Sequence, residues 1–140
     1  GSKIKFIVYG DPNYTNEALE IKGIRWSPDT EVAIINHFDI GIMPIPDTEW
    51  AKGKCSMKGL QYMALGIATV MSGVGTNKVV IQNGENGFLC NSLEDWYRIL
   101  KALIENASLR EQLGASGRKT VEDSYSTQSQ EKAFIQLFRS

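Results

Sequence analysis

The chain has 140 residues, of which 42% are hydrophobic and 22% charged, with a formal net charge of −1. That length predicts one domain with a real core, and the ordinary composition excludes a disordered or collagen-like chain. The near-neutral charge gives no support for a nucleic-acid binder, and no apolar run approaches the roughly 18 residues that span a bilayer.

Cys55 and Cys90 lie far apart, and the single histidine, His37, completes no metal-ligand set. The expectation is a reduced, cytoplasmic protein without a disulfide framework, metal or cofactor. Gly1 and Ser2 read as a scar left by tag removal, so the domain is taken as residues 3–140.

Lys3 to Tyr9 is short, rich in β-branched and aromatic residues, and stops at Gly10-Asp11-Pro12, which predicts a strand and a turn. Ile21 to Trp26 predicts a second strand. Ser27 and Pro28 suit the cap and first position of a helix, with Val32, Ile35 and Phe38 as its apolar stripe. Asp39 to Ile45 predicts a buried third strand, ended by Pro44 and Pro46. After a polar loop, Met57, Leu60, Gln61 and Ala64 recur at helical spacing, and Gly66 stops that helix. Ile67 to Met71 and Gly87 to Cys90 are the fourth and fifth strands.

From there the pattern is helical. Ser92 with Asp95, and Ser108 with Glu111, fit capping boxes with an acidic third residue. Leu93, Trp96, Tyr97, Leu100, Leu103 and Ile104 form one wide apolar face. Ser126 suits the cap of a last helix carrying Phe134, Leu137 and Phe138. Strands alternating with helices predict an α/β fold: a three-layer, Rossmann-like parallel sheet of about five strands with a helical C-terminus. No linker divides it.

In such a sheet, ligands bind beyond the carboxyl ends of the strands. The loop from Asp47 to Ser56 leads into a helix, whose first N–H groups and positive dipole end suit phosphate. Lys52, Lys54 and Lys58 around that start add charge against a diphosphate, or form a solvated face. Cys55 is read as a small loop residue rather than a reactive thiol. The second candidate is Ser72 to Asn77, whose glycines let backbone approach a ligand. It is not a dinucleotide fingerprint, because Lys78 stands where the third glycine belongs. His37 has no nucleophile pattern near it and is read as a helix-end residue.

From Phe38 to Tyr125, FDIGIMPIPDTEWAKGKCSMKGLQYMALGIATVMSGVGTNKVVIQNGENGFL and then EDW and a Gly-Arg, Val-Glu, Tyr-Ser run resemble the group-1 family of retaining GT-B glycosyltransferases. Gly53-Lys54-Cys55 resembles one branch of it. The resemblance implies two Rossmann-like domains in the full enzyme. The C-terminal one, represented here, binds a nucleotide-diphosphate sugar. The N-terminal one binds the acceptor, a glycan or lipid-linked sugar, and accounts for any contact with the inner face of the membrane.

The family's donor motif spaces two glutamates eight apart, and Gly53 and Gln61 stand at those positions. Gln61 retains a neutral amide for ribose hydroxyls. Gly75, Thr76 and Asn77 match the loop near the donor sugar, and Val79 stands where many relatives place a glutamate. The implied donor set is Gly53, Lys54, Cys55, Ser56, Lys58, Gln61, Gly75, Thr76 and Asn77, with no catalytic residue assigned.

The family's first strand, with its Arg and Lys, belongs upstream of residue 1, so the isolated chain is expected to be inactive. With that strand gone, the first strand here is expected to pair with the third, giving the flavodoxin-like order 2-1-3-4-5. Two other readings stand beside this one. A non-catalytic sugar-nucleotide or assembly module fits the missing glutamate at Gly53. A receiver-like signalling domain has Asp11 and Asp47 to offer, but no lysine at Cys90-Asn91.

Overall fold

The computed structural model describes residues 4–52 and 56–137. Where one domain was expected, the chain divides into two compact units, residues 1–37 and 38–140.

In the first unit, strand β1 (Val8–Gly10) runs parallel to β3 (Ile21–Arg25), with Tyr9 opposite Ile24. A two-residue strand, β2 (Thr15–Asn16), pairs antiparallel with β3. Gly23 makes this hairpin possible: a Cβ there would lie 1.7 Å from the Asp11 carbonyl oxygen. Helix α1 (Glu31–Ile35) begins later than Ser27-Pro28 suggests. Ser27 starts a turn instead, its carbonyl accepting from Thr30 and Glu31 N–H. The Tyr9 hydroxyl donates to Ser27 O and accepts from Ser27 N, both at 2.9 Å. Of the expected stripe on α1, Ile35 is buried and Val32 is exposed.

The second unit is the layered α/β part. Strands β4 (Ile40–Met43), β5 (Ala68–Ser72) and β6 (Phe88–Cys90) are parallel, in the order β4-β5-β6. Every residue of central β5 is buried, as a parallel strand covered on both faces requires. On one face Ala68, Val70 and Cys90 pack with Ile99, Leu103 and Leu113 of helices α5 (Leu93–Glu105) and α6 (Ala107–Thr120). On the other, Met71 packs with Met63 of α3 (Met57–Ala64) and Val80 of α4 (Asn77–Val80). A short helix, α2 (Glu49–Lys52), precedes α3, and a π-helical turn at Val121–Tyr125 leads into α7 (Thr127–Leu137).

Thus the pairings 2-1 and 3-4-5 are present, in two three-stranded sheets rather than one of five strands. A ladder between β1 and β4, which the order 2-1-3-4-5 requires, is not among those of the described residues.

Other local expectations also change. Asn106, not Ser108, caps α6, its side chain accepting from Leu109 N at 3.0 Å. On α5, Leu93 and Tyr97 are 88% and 71% exposed, and Ile99 takes the core position. Ser92 does cap α5, accepting from Asp95 N at 3.1 Å, and Ser126 accepts from Ser129 N at the start of α7. The side chains of Phe134, Leu137 and Phe138 lie outside the described residues.

Candidate functional site

All three strands of the second unit point their carboxyl ends at the same set of loops. The loop after β4 leads to the start of α3, where Ser56 adopts the left-handed region with φ 59°. A serine there is strained relative to glycine, so the surroundings must hold it. They do so through hydrogen bonds. Ser56 is 1% exposed and its hydroxyl donates to Asn77 Oδ1 at 2.5 Å. Its single proton being so used, the Thr76 hydroxyl at 2.8 Å is the donor to Ser56 Oγ. Asn77 Nδ2 donates to Ser72 O at 2.9 Å, and Ser72 Oγ accepts from Ile45 N at 2.9 Å.

This chain of bonds ties the ends of β4 and β5 to the start of α3. It brings together Ser56, Thr76 and Asn77, from two segments that the sequence proposed separately. Buried and engaged, the Ser56 and Asn77 side chains contribute position; Thr76 is exposed. Gly75, at φ 55°, makes the turn that carries them. Gln61 is half-buried one turn into α3, and its Oε1 is buried without a hydrogen-bond partner. Lys58 is half-buried on the same helix. Gly53, Lys54 and Cys55 lie outside the described residues, as does the side chain of Lys52.

The thiol and phenol nearby are not reactive. Burial, with the Asp95 charge adding and Arg98 opposing, pushes the Cys90 thiol up to about 11. That suppresses its thiolate at neutral pH. Burial likewise pushes the Tyr62 phenol up to about 12, and its hydroxyl donates to Ile42 O at 3.3 Å.

A feature that sequence reasoning missed lies beside this junction. A cavity of about 250 Å³ opens at the strand ends, lined by Asp47 beyond β4, Ser72 and Gly73 at the end of β5, and Asn91 and Ser92 beyond β6. Trp96 of α5 completes its wall. Of the predicted donor residues that are described, Ser56, Lys58, Gln61, Gly75, Thr76 and Asn77, none lines it. Its residues come from three separate strand ends: Asp47 and Ser72 to Val74 fall within the two loops that the sequence singled out, whereas Asn91, Ser92 and Trp96 do not. Among the described residues no group of His, Cys, Asp and Glu has a metal-binding arrangement, and no helix is long and apolar enough to cross a membrane.

A family profile described as "Glycosyl transferases group 1" matches residues 1–106. Among curated proteins no sequence match is found. Among solved structures, the C-terminal domain of a glycosyl transferase group 1 family protein, LpcC of Francisella tularensis, is 22% identical with a TM-score of 0.63, covering 78% of this chain and 55% of that one. A TarM mutant of S. aureus, solved with fondaparinux, α-GlcNAc-glycerol and UDP, is 16% identical with a TM-score of 0.72, covering 98% and 29%. HepE of Anabaena, solved with UDP-glucose, is 15% identical with a TM-score of 0.67, covering 94% and 40%. The chain therefore spans between 29% and 55% of the lengths of these structures.

Proposed function

The chain belongs to the group 1 glycosyl transferases, and on that premise we propose that it binds the nucleoside diphosphate of a sugar donor across the start of α3 and the 73–77 loop. The observation that carries this reading is the junction of Ser56 with Thr76 and Asn77, which sets a helix N-terminus and a glycine turn side by side. The first N–H groups of a helix have no intrahelical partner, and together with the dipole they suit phosphate. The unmet Gln61 Oε1 supports the reading further, since a ribose hydroxyl is a donor of the kind it lacks. The UDP and UDP-glucose held by the TarM and HepE structures agree with it.

In this reading Gly53, Lys54, Cys55 and Lys58 line the phosphate end, Gly75 and Thr76 face the sugar on a loop that Ser56 and Asn77 hold in place, and neither metal nor cofactor takes part. The full reaction is retaining transfer of a sugar to a glycan or lipid-linked acceptor, on the cytoplasmic side of a membrane. It requires an acceptor-binding domain in the same protein, so the 140-residue chain alone transfers no sugar. The non-catalytic module remains the second reading, favoured by Gly53 at the position of a family glutamate.

Calorimetric titration with UDP tests the proposal. Weak binding is expected, unchanged by a chelator, and reduced about 2- to 10-fold in Gln61→Leu, the range one hydrogen bond contributes. An absence of UDP binding at millimolar concentration contradicts donor binding. Sugar transfer by the purified chain contradicts the need for a second domain.

A further inference from the structure

Helix α5 carries more apolar surface than the core uses. Ile99 and Leu103 are buried in the core, with Trp96 and Leu100 packed beside them. Leu93, Tyr97 and Ile104 stay outside it, at 88%, 71% and 36% exposed. Together with the half-buried Leu100, these three recur at steps of four, three and four residues. At about 100° per residue, the four side chains leave the helix within about 60° of one another, roughly 110° from the direction of Ile99 and Leu103. One helix therefore has two apolar faces, and the fold of the second unit covers one of them.

The spacing of the uncovered face is that of a helix–helix seam, and the seam is complementary to itself. A second copy of α5, turned antiparallel about a two-fold axis midway along it, sets Leu93 against Ile104 and Tyr97 against Leu100. Each contact then occurs twice, as in any two-fold interface. The charges obey the same symmetry. Glu94 and Lys101 are exposed and flank the seam on the side away from the core. Neither side chain has an ion-pair or hydrogen-bond partner among the described residues. The two-fold axis brings Glu94 of each copy beside Lys101 of the other, offset by two residues or about 3 Å along the helix. Side chains of that length span the offset. Opposite charges at flanking positions select the partner and its orientation. A parallel pair would instead turn Glu94 and Lys101 toward Trp96 and Leu103 of the other copy, which belong to its core.

We propose that the seam of Leu93, Tyr97, Leu100 and Ile104 is a docking surface for a second copy of this chain, in a two-fold antiparallel pair with Glu94 and Lys101 bridged across its rim. Two helices of 13 residues fall short of the roughly 1,200 Å² that a standard interface buries. The dimer is therefore weak and depends on concentration. No residue of the seam belongs to the proposed donor loops, so the pairing is independent of nucleotide binding.

Sedimentation equilibrium of the 140-residue chain is the test. The apparent mass should rise from one chain toward two across roughly 10 µM to 1 mM, the range of a weak contact. Tyr97→Ser should weaken association about 10-fold or more, as loss of a central aromatic does, while the thermal midpoint of so exposed a site moves little. Glu94→Lys and Lys101→Glu each set like charges on the rim and should weaken association about 2- to 5-fold. The double variant keeps the net charge and should recover the wild-type constant. A chain that stays monomeric at about 1 mM overturns the second copy as the occupant and leaves the seam to a different partner. Association unchanged in Tyr97→Ser, or a double variant no stronger than the single ones, overturns the antiparallel seam.

Discussion

The two units each carry a three-stranded sheet, but they are built in opposite ways. In residues 38–140 all strands are parallel, and β5 is buried along its whole length between helices on both faces. In residues 1–37 the sheet mixes a parallel and an antiparallel pair, and of its strand residues only Ile21 is buried. Phe6, Leu19, Ile24 and Trp26 there are all more than one-third exposed. The contrast shows where rigidity resides. The loops of the candidate site hang from the ends of deeply buried strands, and a strained Ser56 can persist there because its surroundings over-determine it.

The largest effect should come from the core that separates the units in kind. Leu103, with no exposed surface, should cost about 2–5 kcal/mol of stability as Leu103→Ala in urea unfolding. Leu19→Ala, at a residue 49% exposed, should change stability by about 0.5 kcal/mol or less. Equal effects would break the comparison.

Next is Gly114 on α6, where a Cβ would lie 2.0 Å from the Gly66 carbonyl oxygen. Gly114→Ala gains about 1 kcal/mol in helix propensity. The close backbone contact cannot yield like a flexible side chain, and overpacking of this kind costs about 1–3 kcal/mol. A net loss of thermal stability is expected, and a gain would show that α6 does not pack this closely.

Asn77→Ala sharpens the comparison at the site. It leaves the Ser56 hydroxyl without its acceptor, one unmet buried group that costs about 1–3 kcal/mol, while Ser72 O keeps the Val74 N–H at 2.8 Å. The amide NMR shifts that accompany it should fall on residues 56–58 and 72–76, with β1 and β3 unmoved.

The smallest effect is electrostatic. Asp95 is held below its ordinary 3.8, first by the hydrogen bond from Asn91 N–H, with Arg98 and Ser92 helping. A lowered carboxylate stabilises the fold above its unfolded value, and that stabilisation is lost as pH falls through the folded value. Asp95 is exposed to solvent screening, so the wild-type urea midpoint should exceed that of Asp95→Asn only slightly at neutral pH. The difference should vanish below the ordinary carboxylate range. A difference that grows on acidification contradicts the assignment.

The legibility of the sequence follows the same division. Ile67 to Met71 was readable as a strand because burial on both faces leaves a nearly continuous apolar run, and Asp39 to Ile45 and Gly87 to Cys90 were readable as short apolar runs bounded by turn residues. The two-residue β2 leaves no periodic trace, and its geometry depends on Gly23 approaching Asp11. Leu93 and Tyr97 fit the helical spacing of α5 but fall outside its core stripe, which centres on Ile99 and Leu103. For α6, Asn106 and Ser108 are both good cap types two residues apart, and only the backbone geometry chooses Asn106. At the site, the positions of Ser56, Thr76 and Asn77 were legible from the rule that ligands gather at carboxyl strand ends. Their use of one another as hydrogen-bond partners was not, because it joins residues about twenty positions apart.

The central claim is that a nucleoside diphosphate binds where α3 begins and the 73–77 loop turns. Its most direct test is a backbone-amide NMR map of the chain titrated with UDP. Perturbations centred on residues 56–61 and 73–77, saturating together with one dissociation constant, are the predicted result. Saturable perturbations confined to residues elsewhere, with these two segments unmoved, would contradict it.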